Sequence, residues 1–226
     1  HENDEVYEAA LLTQQRREEL PDAMSYMLGP PSGMKEPTDE EFIINSQNQY
    51  IPKAKPKVDG WINDTAWNAQ TRDTNNPFFR HSETAEKENY PLTTLFVSHD
   101  NKNLYIAMRC RTGRVLDKEW TAVEIAPQNA KERWRFVLTQ KGNRVLEKHT
   151  REGHFRIEGV IWTAAQQRFN GFYDVEFQIP LSVVGNAKTL RFNALRRTAH
   201  ESGTRVILRA YPVHGDVYLM PLVTLG

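Results

Sequence analysis

The chain reads as an all-β protein: an antiparallel β-sandwich with an N-terminal helical and extended arm. Three observations predict the sandwich and its arm. From about residue 93 apolar residues recur with a period of two, turn signals separate the alternating runs, and the first 50 residues carry too little apolar surface for a core of their own. A length of 226 residues with 39% apolar content suits one ordinary domain plus an extension, so residues 1–50 are read as the arm and 51–226 as the sandwich.

The arm begins with DEVYEAALLTQQRREEL, residues 4–20. Asp4 can cap a helix there and Tyr7, Ala10 and Leu11 share a face, but the apolar stripe fades before Leu20-Pro21 stops it. LGPPSGMKEPTDEE follows and reads as an extended strap, because its prolines and glycines favour neither helix nor ladder. Ordering such a segment costs about 1 to 2 kcal/mol per residue, so it needs a surface to lie on. The groups it offers are Tyr7, Leu11, Leu20, Met24, Tyr26, Met27 and Leu28; of these Tyr7, Leu11, Met24, Tyr26 and Met27 are the candidate partner-binding residues.

The body opens with VDGWINDTAWNAQ, residues 58–70. Asp59 and Gly60 suit a turn, Asn63 or Asp64 suits the cap of a one-turn helix, and Trp67 then folds inward as a plug on the sandwich edge. Trp61, beside the turn, divides evenly between burial and exposure. Further on, NLYIAMRCR sets Leu104, Ile106, Met108 and Cys110 on a core face against Tyr105, Ala107, Arg109 and Arg111 on a wetter one. RWRFVL, YDVEFQI and LRFNAL repeat the alternation, placing Trp134 with Phe136 and Leu138 in the core. HDNKN, KGN and FNG supply the turns that fold antiparallel neighbours back. FRIEGVIW reads as a strand that Trp162 closes before a polar loop.

Composition narrows the function. Twenty-nine basic and 29 acidic residues give zero net charge, which implies no polyphosphate partner and argues against nucleic acid. Cys110 stands alone, so no disulfide framework or cysteine metal site is expected, and the thiol is read as a small core group. No apolar run approaches the ~20 residues needed to cross a bilayer. No signal peptide is visible, and a chain starting at His1 fits a processed or trimmed terminus, compatible with an extracytoplasmic location.

In order, KVDGWINDTAWNAQ, SHDNKNLYIAMRCR, TAVEIAPQNAKERWRFVLTQKG, GFYDVEFQIPLSVVG and LRFNALRR resemble the family 9 carbohydrate-binding modules and their relatives over roughly residues 53–226. The resemblance implies that VEIAP starts a central strand and that VEFQIPLSVVG is a strand running into a short turn of helix. It implies glycan recognition without catalysis. Trp120, before TAVEIAP, and Trp162 are the candidate ligand rings, since axial C–H groups of a sugar pack on aromatic faces; ordinary packing at a strand end is the competing reading for each. Relatives tend to carry acidic residues where Trp120 stands, so no acidic or calcium contact is carried over.

No catalytic residue and no metal ligand is assigned. Glu124 and Glu176 lie in strands and are read as charges on outer faces rather than an acid–base pair. His149 and His154, five apart, have hairpin spacing and carry little as a metal motif. The sandwich also resembles the haem-bearing gamma subunits of molybdenum oxidoreductases of the ethylbenzene dehydrogenase and nitrite oxidoreductase type, in which a methionine and a lysine hold haem b. Here no methionine falls between Met108 and Met220, so no haem and no other cofactor is expected. The leading expectation is a non-catalytic glycan-binding module. The alternative is a haemless accessory subunit that assembles with partner protein subunits through its arm.

Overall fold

In the computed structural model the described residues are 49–68, 79–80, 93–111, 119–128, 132–150, 152–199, 205–210, 220 and 222–226. The arm, with its expected helix and with Tyr7, Leu11, Met24, Tyr26 and Met27, lies outside them up to residue 48. The elements in chain order are β1 (Gln49–Ile51), α1 (Thr65–Asn68), β2 (Phe79–Arg80), β3 (Thr93–His99), β4 (Asn103–Arg111), β5 (Trp120–Pro127), β6 (Arg133–Thr139) and β7 (Arg144–Thr150). They continue with β8 (Gly153–Arg156), β9 (Thr163–Phe169), β10 (Phe172–Pro180), a 3-10 turn (Leu181–Val184), β11 (Thr189–Ala199), β12 (Arg205–Arg209) and β13 (Leu222–Leu225).

Two sheets result. The larger runs β1-β13-β11-β5-β6-β7-β8, with β12 pairing β11 and β2 pairing β12; the smaller runs β3-β4-β10-β9. Every pair is antiparallel except β1 with β13. This is the all-β sandwich that the alternation predicts. The inner faces meet in one core, with Leu104, Ile106, Val175 and Phe177 from the smaller sheet against Val123, Ile125, Phe136 and Phe192 from the larger. Each such burial stabilises the fold by about 1.5–3 kcal/mol. Cys110 is buried among them as a free thiol, and desolvation pushes its pKa up.

The turns form where the sequence places them. Between β3 and β4 the Asp100 carboxylate accepts from the backbone N–H groups of Lys102 (3.0 Å) and Asn103 (2.7 Å) and from the Tyr105 hydroxyl (2.8 Å). One side chain therefore fixes both the turn and the start of the next strand.

The outer face of the smaller sheet departs from the sequence reading. Tyr105 and Ala107 are buried rather than wetter, because residues 58–68 lie across this face and Trp67 and Ile62 pack there with Phe96, Tyr105 and Ala107. Trp67 is buried as expected, but it plugs a second small core on this outer face rather than the sandwich edge. Asp64 does not spend its carboxylate on the helix: Oδ2 accepts from the Lys57 N–H at 2.6 Å.

A second difference concerns FRIEGVIW. β8 ends at Arg156, residues 157–162 are irregular, and Trp162 stands immediately before β9 rather than at the end of a strand. Gly159, at φ +83°, occupies the left-handed region that breaks the ladder. The polar TAAQQRF that follows is itself a strand, β9, held by its full register with β10.

Candidate functional site

Alternation along β5, β6, β7 and β11 sends one set of side chains into the core and the other onto the outer face of the larger sheet. Because the strands pair in register, the outward residues form rows. One row runs Asn193, Glu124, Arg135, Glu147 and Arg156 across β11, β5, β6, β7 and β8. A neighbouring row carries Arg133, His149 and His154.

The rows are bonded to one another. Glu124 Oε1 accepts from Arg135 Nε at 2.7 Å and lies 2.7 Å from its Nη2. Arg135 Nη1 lies 3.9 Å from Glu147 Oε2, which is 3.0 Å from His149 Nε2. Arg133 Nη2 reaches His149 Nδ1 at 3.5 Å, and the rings of His149 and His154 stack at 3.8 Å. These contacts assign the neutral tautomer of His149: Nε2–H donates to Glu147 and Nδ1 accepts from Arg133. Desolvation, followed by the charges of Arg135 and Arg133, holds the His149 pKa well below its ordinary value.

Burial grades along the row. Asn193, Glu124 and Arg135 are buried, Glu147 is half-buried, and His154 and Arg156 are exposed at the β8 end. Arg133 sits where buried gives way to open, with its side chain 12% exposed. Its Nε is 3.1 Å from Glu124 Oε1 but is not aligned for a hydrogen bond, and it has no other acceptor among the described residues. The Nε is shielded from solvent, so what Arg133 offers a ligand is the small exposed part of its side chain, held in place by Glu124 and His149.

Trp120 lies on this same outer face. In register it faces Arg197 on one side and Thr139 on the other, and it packs with Ala122 and Leu195. It is 9% exposed, so the ring borders the polar rows without presenting an open face. Trp162 lies elsewhere, half-buried between the inner faces of the two sheets. Its ring meets Phe136 edge-on at 5.3 Å and Phe177 face-on at 6.3 Å, while Arg144 donates to its carbonyl at 3.0 Å. The two rings are not brought together.

Glu124 and Glu176 do lie on outer faces, as the sequence reading has it, but neither is solvated. Glu124 is tied to Arg135 and Arg133. Glu176, on the opposite sheet, accepts from Trp67 Nε1 (2.8 Å), Gly60 N (2.6 Å) and Asp59 N (2.9 Å). The sequence carries no charge signal for this, because a strand carboxylate looks alike whether water or a crossing segment covers it. His149 and His154 pair directly across β7 and β8, the arrangement that their spacing implies. Among the described residues no three His, Cys, Asp or Glu side chains are placed to hold a metal ion. Arg133, Arg135, Glu147 and Asn193 were not singled out from sequence, although alternation with core residues in RWRFVL and LRFNAL puts Arg133 and Arg135, and Asn193, on outward faces.

No known sequence family and no curated protein sequence matches the chain. Solved structures do. A family 9 carbohydrate-binding module from Caldicellulosiruptor kristjanssonii in complex with glucose superposes with a TM-score of 0.59 at 14% identity, covering 79% of this chain and 95% of that one. A family 9 module from the same organism in complex with cellotriose gives 0.55 at 14% identity, covering 79% of this chain and 93% of the other. A candidate carbohydrate-binding protein from Bacteroides uniformis gives 0.56 at 9% identity, covering 79% and 98%. With its two sheets, its strand order and this likeness over most of its length, the chain has the fold of the family 9 carbohydrate-binding modules.

Proposed function

We propose that the protein is a non-catalytic carbohydrate-binding module whose glycan site is the polar outer face of the larger sheet. The observation that carries this is the polar face itself, in which the buried Glu124 and Arg135 hold the half-buried Arg133 and Glu147 at the edge that opens toward the exposed His154 and Arg156. Sugar hydroxyls are paired donors and acceptors, and the carboxylate, guanidinium and imidazole groups at that edge, held by the buried row behind them, match these at little ordering cost. Trp120 walls one end of the array. Trp162 serves the site from a distance, by bracing the two sheets behind it.

The arrangement favours binding over hydrolysis. Stacked sheets lie about 10 Å apart, so carboxylates on opposite outer faces exceed the roughly 5–9.5 Å that an acid–base pair spans across a glycosidic bond. Glu124 and Glu176 are so placed. Among the described residues no helix is long and apolar enough to cross a membrane. An extracytoplasmic setting, where polysaccharides are met, suits the proposed role. A glycan array probed with the intact chain tests it: selective retention of one glycan class supports the reading, and uniform failure to bind any glycan defeats it.

A further inference from the structure

We propose a second, separate sugar-binding surface on the opposite side of the sandwich, formed by Trp61, Phe169, Phe172 and Arg109 on the outer face of the smaller sheet. The location stands on its own geometry; the ligand class rests on the proposed function.

Four planar groups lie in a row there. Trp61 meets Phe169 edge-on at 5.0 Å, Phe169 stacks on Phe172 at 4.6 Å, and the Arg109 guanidinium sits 5.2 Å over Phe172. Phe169 and Phe172 are register partners flanking the β9–β10 turn, which fixes both rings. Arg109 is fixed by a two-point contact with Asp174, Nε to Oδ1 at 2.8 Å and Nη2 to Oδ2 at 2.7 Å. Its Nη1 has no acceptor among the described residues. Gln167 stands directly across from Asp174 in register and is exposed, so its amide borders the same row.

Trp61 is 45% exposed, and the fold does not require it there, since Trp67 already closes the small core beneath. It is nevertheless held rigidly. The Trp61 backbone N–H donates to Asp59 Oδ1 at 3.0 Å, and Gly60, at φ +90°, lets the backbone press against β9 so closely that a Cβ would lie 2.8 Å from the Gln166 carbonyl carbon. An exposed aromatic ring immobilised in advance lowers the ordering cost of binding.

The rim selects the occupant. Arg109 is paired with Asp174 and Lys57 with Asp59 (2.8 Å), while Arg111, exposed and directly across from Phe172 in register, adds one positive charge at the edge. Flat apolar rings flanked by the free donors of Arg109, the Arg111 guanidinium and the amide of Gln167 match a pyranose, whose C–H face packs on an indole while its hydroxyls accept and donate at the edge.

The test uses the 15N-labelled full chain titrated to tens of millimolar with cellohexaose, xylohexaose, chitohexaose and maltohexaose. The indole signal of Trp61 is identified by its loss in Trp61→Phe. The expected result is a saturable shift of the Trp61 indole together with the Gln167 side-chain amide. It should be retained in Arg133→Ala, abolished in Trp61→Ala and weakened about tenfold in Arg109→Lys, the loss of a charged hydrogen bond. Stationary Trp61 and Gln167 signals with every sugar would overturn the proposal, as would shifts that vanish in Arg133→Ala or a Trp61-dependent self-association of the chain instead of sugar binding. Failure of the larger-sheet site is read separately, from the backbone signals of β5, β6 and β7.

Discussion

Trp67 donates its indole N–H to Glu176 across 2.8 Å, and the other oxygen of the same carboxylate takes the backbone N–H groups of Asp59 and Gly60. One buried side chain thus anchors both ends of the segment that crosses the smaller sheet. The segment in turn converts an outward strand face into a second core.

Removing the ring should cost more than any other single change in this region. Trp67→Ala is expected to destabilise the protein by about 3–5 kcal/mol. Trp67→Phe keeps most of the packing but strands a buried carboxylate oxygen, at about 1–3 kcal/mol. Urea midpoints followed by far-ultraviolet circular dichroism measure both, and equal losses for the two variants would show that the hydrogen bond contributes nothing.

Glu176 also makes stability depend on pH. Desolvation raises its pKa above 4.5 despite the three donors. The folded state therefore holds this proton more tightly than the unfolded chain. That contribution is complete below the ordinary carboxyl value and is lost as pH rises through the folded value. Glu176→Gln removes it, so any advantage of wild type over the variant should narrow as pH rises above the ordinary carboxyl value. An advantage that widens over that range contradicts the burial argument.

Gly60→Ala places a methyl against backbone rather than against a yielding side chain, at a φ of +90°. Strain of this kind costs about 1–3 kcal/mol. Thermal unfolding should show a clear drop, and an unchanged midpoint would mean that the segment does not press on β9.

His149 has the opposite pH sense. Its folded pKa is held well below 6.5, chiefly by desolvation. Its contribution is complete above the unfolded value and declines as pH falls from there toward the folded value. His149→Gln should flatten the acid side of the stability profile as pH falls below the ordinary imidazole value. An identical slope in variant and wild type would place a charged His149 in the folded state.

The sandwich itself was legible because alternation and turn chemistry are local: Leu104 through Cys110 and Trp134 through Leu138 declare their inner face without help. Burial of Tyr105 and Ala107 was not, since it depends on a segment some 40 residues earlier lying across them. β9 was missed because TAAQQRF, an edge strand with little apolar content, owes its form to pairing with β10. The polar rows were half visible. Alternation puts Arg133 and Arg135 on one face, but only the register brings Asn193, Glu124 and Glu147 into line with them. Trp120 was chosen as a ring open to a ligand; it shares the face of the polar rows but is packed down beside Ala122 and Leu195.

The most direct test of the glycan site is calorimetric titration of wild type, Arg133→Ala and Arg133→Lys with the glycan that the array selects. Arg133→Ala should lower affinity by about ten- to a hundredfold, the worth of a charge-assisted hydrogen bond, beyond any loss of folded protein, since it also removes the ion pair with the buried Glu124. Arg133→Lys should recover part of the loss. Undiminished affinity in Arg133→Ala would contradict the account, because the ligand would then not meet the larger sheet at Arg133.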